Sequence, residues 1–415
     1  MSVIRRIAAH LLLVSAYGLT WLVAVVGGWI PRRSWKPTGR IMVTGTFHNP
    51  NWYLSHVTPL ARSGMQEVIL VVDEPQLPFE GVRFVCPPKW LARLVSRAAA
   101  KAIWMFFAGL RYRPDLYMGY HLLPGACSAL MAGKLLGRPS GYQMTGGPVG
   151  IIGGGFAAVD CIEGMLGRPS KLIEKLALRV VRQFDLVVVR GTSAQRYLAD
   201  QGITSSVAVV TGSVNGCQQA PPQDRDIHLI YVGRLAPVKQ IHQIIAAVDV
   251  IHRVMPQVRA AIVGDGPLMA ELRAATAKLG LTQNIEFLGK RKDVGSLLAR
   301  SKVFILTSRS EGLSIAMAEA MRAGAVPVVA DVGDLGDLVA DSVNGHLIEP
   351  NHVDEYARKA VCLLQDDVLW NKYSRAAVEA ASSQCDIEVI SAKWRRHLQR
   401  VVSQASGCAG QDVFD

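Results

Sequence analysis

A chain of 415 residues, half of them hydrophobic, is long enough for two domains, each with its own core. Its formal charge of +12 and pI near 9.5 suit an anionic partner, but Lys and Arg are scattered, without a basic stripe interleaved with aromatics, which argues against nucleic acid. Seven cysteines with no Cys-x-x-Cys pair give neither a disulfide framework nor a zinc site and point to a reduced, cytosolic compartment.

In chain order, residues 7–30 come first and contain no Asp, Glu, Lys or Arg. At about 1.5 Å per residue they are long enough to cross a hydrocarbon core of roughly 30 Å. A signal peptide would have a shorter apolar run, and Ala24-Val25-Val26 is a poor cleavage site. Arg5 and Arg6 precede the run, while Arg32, Arg33, Lys36 and Arg40 follow it. The heavier positive flank lies on the domain side, which predicts the cytoplasmic face of the inner membrane. A helix lying on the membrane satisfies the same charges, since His10, Ser15, Gly18 and Thr20 interrupt the apolar run. The alternative is a buried first helix of a soluble domain. Residues 1–36 are thus expected to be a membrane-associating segment.

From residue 37 short apolar runs alternate with helical patterns. Strands are predicted over 40–44, 68–73, 82–86, 116–120 and 186–190, a count that gives a Rossmann-like domain over 37–215. The stretch TGGPVGIIGGGF, residues 145–156, is too glycine-rich for a regular element and reads as a mobile lid or a flexible connection. Paired prolines among polar residues mark 216–226 as a linker.

A second doubly wound domain is predicted over 227–365. Strand 229–232 runs into Gly233, Arg234 and Leu235, with Lys239 after a short turn. Strand 260–263 ends in Gly264-Asp265-Gly266-Pro267 before a helix over 268–279. Strand 285–288, closing on Leu288, leads to Gly289 and the basic cluster Lys290, Arg291 and Lys292. Strand 303–306 opens into a loop, 307–312, that reads as too polar to be buried. A helix follows over 314–323, capped by Ser314, stopped by Gly324 and turning Ile315 and Met321 inward. After the strand 325–330, the acidic run 331–341 reads as a solvated loop and helix. Helices are expected over 366–402, the last carrying Trp394 among basic residues, with a disordered tail over 403–415.

Doubly wound sheets bind ligands at the carboxyl ends of their strands, so Arg234, Lys239, Glu311 and Glu319 are expected to converge on one crevice. The free N–H groups at the start of the helix after Ser314 form an anion site. Glu311 and Glu319 are eight positions apart, a helical rise of about 12 Å, too far to grip one small group. They can bracket a long ligand: a diphosphate over the helix start, with a sugar at one end and a ribose at the other. Alone, such a pair reads as one solvated helix glutamate and one loop glutamate; the strands and cations upstream argue for the ligand.

The ordered pieces YVGRLAPVK, IVGDGP, IEFLGK and SRSEGLSIAMAEAMRAGAVPVV, within residues 229–349, resemble the C-terminal half of the family 4 retaining glycosyltransferases (glycosyltransferase group 1). That family's fold is GT-B, two Rossmann-like domains facing a cleft, with a C-terminal helix crossing back to the first domain. The resemblance implies that Arg234 and Lys239 hold the diphosphate of a nucleotide sugar, Glu311 contacts the donor sugar and Glu319 the ribose. It also implies that Gly312, Leu313 and Ser314 complete the phosphate cradle, that residues around Leu288 flank the base, and that Gly264, Asp265 and Gly266 join the nucleotide-binding set. Family members carry glycines after the first strand, where Gly45 stands alone here. They often carry a histidine after the fourth or fifth strand; His121 matches the first place, and Thr145 stands at the second. His121 therefore reads as a sugar-site residue or a packed loop histidine, with His48 the lesser candidate.

The expected chemistry is sugar transfer with retention, metal-independent, because fixed cations in a water-poor cleft stabilise the leaving diphosphate and the sequence offers no Asp-x-Asp pair of the sort that holds a divalent cation against a diphosphate. The apolar segment adds a lipid-linked or glycan acceptor at a membrane surface, as in cell-surface polysaccharide synthesis. The rival readings are a catalytically silent membrane-bound nucleotide-binding or scaffold protein and a nucleotide-sugar isomerase of the same architecture. An oxidoreductase lacks its dinucleotide fingerprint.

Overall fold

The computed structural model describes residues 3–30, 35–47, 50–157, 163–214 and 224–407. Arg32, Arg33, His48, residue 215 with most of the expected linker (216–223), and residues 408–415 lie outside the described residues. The chain divides into two compact units, Met1–Gly212 with Ile390–Asp415, and Ser213–Val389.

The first unit contains α1 (Val3–Gly28), β1 (Arg40–Thr44), α2 (Pro50–Ala61), β2 (Glu67–Val71), β3 (Val82–Val85), α3 (Lys89–Val95), α4 (Arg97–Tyr112) and β4 (Leu116–Tyr120). It continues with α5 (Cys127–Leu135), β5 (Ser140–Met144), α6 (Lys171–Val181), β6 (Leu186–Val189), α7 (Thr192–Asp200) and β7 (Val207–Val209). The seven strands are all parallel, in the order β3-β2-β1-β4-β5-β6-β7. Alternation along each strand splits the core. Ile41, Val43, Leu116 and Met118 face α2, while Met42, Tyr117, Tyr142 and Val187 face the layer of α4, α5, α1 and α6.

The second unit contains β8 (Ile227–Val232), α8 (Ile241–Val254), β9 (Ala260–Val263), α9 (Met269–Lys278), β10 (Ile285–Gly289), α10 (Val294–Ala299) and β11 (Ser301–Leu306). After these come α11 (Ile315–Arg322), β12 (Val326–Ala330), β13 (His346–Ile348), α12 (Val353–Gln365) and α13 (Asp367–Cys385). Its six parallel strands run β10-β9-β8-β11-β12-β13. The last helix, α14 (Ile387–Ser406), returns the chain to the first unit, where Ile390, Trp394, Leu398 and Val401 fill the core beside α2.

In both sheets the strand order reverses once, between β1 and β4 and between β8 and β11. These are the topological switch points, where the crossovers diverge to opposite faces and leave a crevice outside the strand ends.

Four sequence expectations are corrected. Thr307 and Ser308 are fully buried, because Thr307 Oγ1 donates to the carbonyls of Lys239 and Gln240 (3.2 and 3.0 Å) and Ser308 Oγ to Glu311 (2.6 Å). The loop 145–156 is packed: Ile151 is buried and Gly153 N–H donates to Glu174 Oε2 at 3.0 Å. A Cβ at Gly154, where φ is +76°, would lie 2.7 Å from Ile173, so the glycines serve close approach there. Helix α14 runs to Ser406, itself buried with Val402, so the expected tail does not begin at 403. Asp334, in the acidic run read as solvated, is buried.

Candidate functional site

At the second unit's switch point, loops from four strands interlock through backbone hydrogen bonds. Gly233 N–H donates to Val263 O at 2.9 Å, Leu235 N–H to Asp265 O at 3.0 Å and Gly264 N–H to Gly289 O at 2.8 Å. The glycines are obligatory here: a Cβ on Gly264, where φ is +137°, would lie 1.8 Å from Gly233 O. On the other side, a Cβ on Gly333 would lie 1.9 Å from Glu311 O. The floor is thus built from backbone, with little room to shift.

Over that floor Lys239, after β8, meets Glu311, after β11. Lys239 Nζ lies 2.5 Å from Glu311 Oε1, and the Ser308 hydroxyl donates to the same oxygen at 2.6 Å. Ser308 was missed in the sequence; the signal available was its hydroxyl three residues before the glutamate. Arg309 N–H donates to Val238 O at 2.9 Å and fastens the two loops together. Arg234 lies at the mouth of β8, exposed, while its carbonyl accepts from Tyr231 Oη at 2.9 Å.

The chain then turns through Gly312 and Leu313 into Ser314, whose extended backbone and side-chain acceptance from Met317 N–H make it the N-cap of α11. Among the described residues the N–H groups of Gly312, Leu313 and Ser314 have no acceptor. They add to the positive end of the helix. One turn into α11, Glu319 is largely buried, and no described hydrogen bond reaches its carboxylate. Burial alone raises its pKa from 4.5 to about 7. A carboxylate so placed is an acceptor waiting for hydroxyl donors. Leu288, half-buried at the end of β10, and Asp265, whose Oδ1 accepts from Gly266 N–H at 2.7 Å, border the same ends of the sheet.

Gly45 and His121 belong to the first unit, at the ends of β1 and β4, on either side of its own switch point. Both line a small cleft with Thr44, Thr46, Lys101 and Ser128. Lys101 is paired there with Asp73 at 2.7 Å. Gly45 is needed because a Cβ would lie 2.9 Å from Tyr120 Cβ. His121 has φ +58° and ψ 149°, a conformation costly for a residue with a side chain. Its Nδ1 lies 3.2 Å from Thr145 Oγ1, so the threonine that replaces the second expected histidine is the partner of the first. His121 keeps an exposed edge, but the protein atoms crowded around the ring, helped by Arg190, lower its pKa and favour the neutral form. Arg190 is itself buried, donating to Gln143 Oε1 and Val210 O.

Residues 218–383 match the family described as glycosyl transferases group 1. The match takes in most of the second unit. Within the chain, 173 residues are 31% identical to an exopolysaccharide phosphotransferase of Streptomyces coelicolor, covering 41% of this chain and 18% of the relative. Another 141-residue match is 33% identical to the UDP-Gal:alpha-D-GlcNAc-diphosphoundecaprenol alpha-1,3-galactosyltransferase of Escherichia coli, covering 33% of this chain and 36% of the relative. The chain therefore spans well under half the length of either relative. Anabaena HepE in complex with UDP has a similar fold, with TM-score 0.69 and 19% identity over 88% of this chain and 100% of HepE. The fold is thus GT-B, and Lys239, Glu311, Glu319 and the start of α11 all lie within the residues matched by the family.

Proposed function

We propose that this protein is a retaining glycosyltransferase that moves a sugar from a nucleoside diphosphate sugar to a hydroxyl of a lipid-linked or glycan acceptor in cell-surface polysaccharide synthesis. The observation carrying the reading is the juxtaposition of the Lys239–Glu311 pair with the acceptor-free N–H groups that open α11. A diphosphate fits that place because it brings negative charge to the N–H groups and to Lys239 and Arg234. Glu319 then accepts from the ribose hydroxyls and Glu311 from the sugar.

The reaction needs no protein nucleophile. The bond from the anomeric carbon to the leaving oxygen breaks, and its electron pair passes to the β-phosphate. That phosphate takes the acceptor hydroxyl's proton as the acceptor oxygen bonds to the same face of the sugar. Arg234 and Lys239 stabilise the developing charge without rearranging, which is where preorganised electrostatics contribute most. The reading expects no metal in this step. Residues 37–215 take the acceptor, with His121 as that domain's sugar-site residue and Gly45 in the nucleotide-binding set, and 227–365 hold the donor. The Escherichia coli relative's name specifies a diphosphoundecaprenol acceptor, which supports an acceptor held at a membrane. With the positive flank of residues 7–30, it supports the cytoplasmic face of the inner membrane.

The test is calorimetric titration of the detergent-solubilised protein with UDP-, GDP- and ADP-sugars, alongside Glu319→Ala and Arg234→Ala. One nucleotide series should bind, and both variants should lose it. Absence of binding by every series would overturn the reading.

A further inference from the structure

Helix α1 was expected to cross or lie on a membrane, and its packing separates the two. Leu13, Tyr17, Thr20 and Ala24 form one buried stripe at helical spacing, and Tyr17 Oη donates to Glu163 Oε1 at 3.2 Å. At its C-terminal end Gly27 is so close to α5 that a Cβ would lie 2.9 Å from Lys134 Cβ. The helix is therefore fastened along the domain from its first turns to its last. A helix surrounded by lipid on all sides cannot also keep one face on a domain that carries Glu163 and Lys134.

The opposite face of α1 has no protein cover: Leu11 is 62% exposed and Leu22 53%. A second, independent set of apolar side chains lies on α3 and α4, where Trp90 is 64% exposed, Leu94 74% and Phe107 54%. Helix α4 packs on α5, and α5 packs on α1, all over the same face of the sheet, so the outward sides of α1 and α4 look the same way. Large apolar patches on a soluble surface mark an interaction site.

Charge selects the partner. Lys89, Arg93 and Arg97 are exposed on the α3–α4 segment, interleaved with Trp90 and Leu94, and the described part of that segment, residues 89–112, contains no Asp or Glu. Apolar side chains set among basic ones, with an exposed tryptophan, fit the headgroup layer of an anionic bilayer. A second copy of the chain fits less well, since a twofold contact would set the same basic residues against each other.

We infer that the outward faces of α1, α3 and α4 form one monotopic membrane-docking surface for anionic lipid, with α1 lying in the interface rather than crossing it. The inference deepens the membrane side of the proposed function and does not depend on the transferase chemistry. The full chain is sedimented with phosphatidylcholine vesicles with and without phosphatidylglycerol, alongside Trp90→Glu/Leu94→Glu, Arg93→Glu/Arg97→Glu and Leu11→Glu/Leu22→Glu. All six positions are exposed, and circular dichroism and thermal melting check that the variants remain folded.

The expected result is binding that requires phosphatidylglycerol, weakens with salt, falls about tenfold or more in each double variant, and is released from membranes by alkaline carbonate. Loss only in the α1 variant, with resistance to carbonate, would overturn the inference and leave a membrane anchor standing. No vesicle binding by the parent chain would overturn both. A concentration-dependent dimer in light scattering, abolished by Trp90→Glu/Leu94→Glu, would identify a second copy as the partner and overturn the lipid assignment.

Discussion

Lys239 Nζ rests 2.5 Å from Glu311 Oε1, joining the turn after β8 to the loop after β11 across 72 positions of sequence. The pair is largely shielded, with side chains 23% and 10% exposed, so each charge depends on the other for its solvation. The pair is a structural clasp, and in the reaction proposed above, where a donor bridges it, it is a binding element as well.

Removing one partner should therefore cost more than removing both. Lys239→Met leaves a shielded carboxylate with only the Ser308 hydroxyl, and urea unfolding should show a loss of ~2 kcal/mol. Lys239→Met/Glu311→Gln should recover part of that stability while sugar transfer stays down by about 10²- to 10³-fold in kcat. Additive stability losses in the double variant would show that the two side chains are not coupled.

Glu319 gives a pH signature. Its folded pKa, held up to about 7 by burial, exceeds the unfolded value, so its contribution to stability is greatest in acid and falls as pH rises from about 4.5 through 7. At pH 8 Glu319→Gln should melt higher than the parent chain without ligand, by at most ~3 kcal/mol. Ribose hydroxyls favour the ionised form, so nucleotide binding should release a proton near pH 6.5, which titrations in buffers of different ionisation enthalpy will detect. The Gln variant should bind weakly and release none.

Gly333 tests whether the backbone floor positions Glu311. It is assigned no contact with ligand, yet Gly333→Ala drives a methyl group into the Glu311 carbonyl at a position where φ is +61°. Nucleotide-sugar affinity should fall at least tenfold, while Gly336→Ala, whose nearest neighbour would be Leu347 at 3.5 Å, leaves it unchanged.

His121 separates function from stability. Its positive φ is a standing cost of ~1 kcal/mol or more, which glycine would relieve. His121→Gly should melt at or above the parent temperature while transfer activity drops. Activity equal to the parent's would return His121 to the packed-loop reading.

The second unit was the more legible in sequence, since three of its strands carry uninterrupted apolar runs, at 229–232, 260–263 and 303–306, and the loops after them carry charge. The first hid more. Strand β5 reads SGYQM, and nothing in that composition suggests a buried central strand; Gln143 is buried there because Arg190 donates to its amide oxygen. β7 and β13 are three residues each, too short to show a period. The polarity of Thr307 and Ser308 misled for a similar reason, because a hydroxyl that finds a carbonyl or carboxylate can be buried at little cost. The composition of residues 7–30 said only that they are apolar, and which side of the helix is covered depends on α5 and α6, far along the chain.

Helix α14 has a consequence for the order in which the molecule is made. The core beside α2 includes Ile390, Trp394, Leu398 and Val401, residues that leave the ribosome only after the whole second unit. During synthesis the first unit must wait with that side of its sheet incompletely covered, while the second can close on its own residues as soon as they emerge. The domain that begins the chain is thus the later one to be completed.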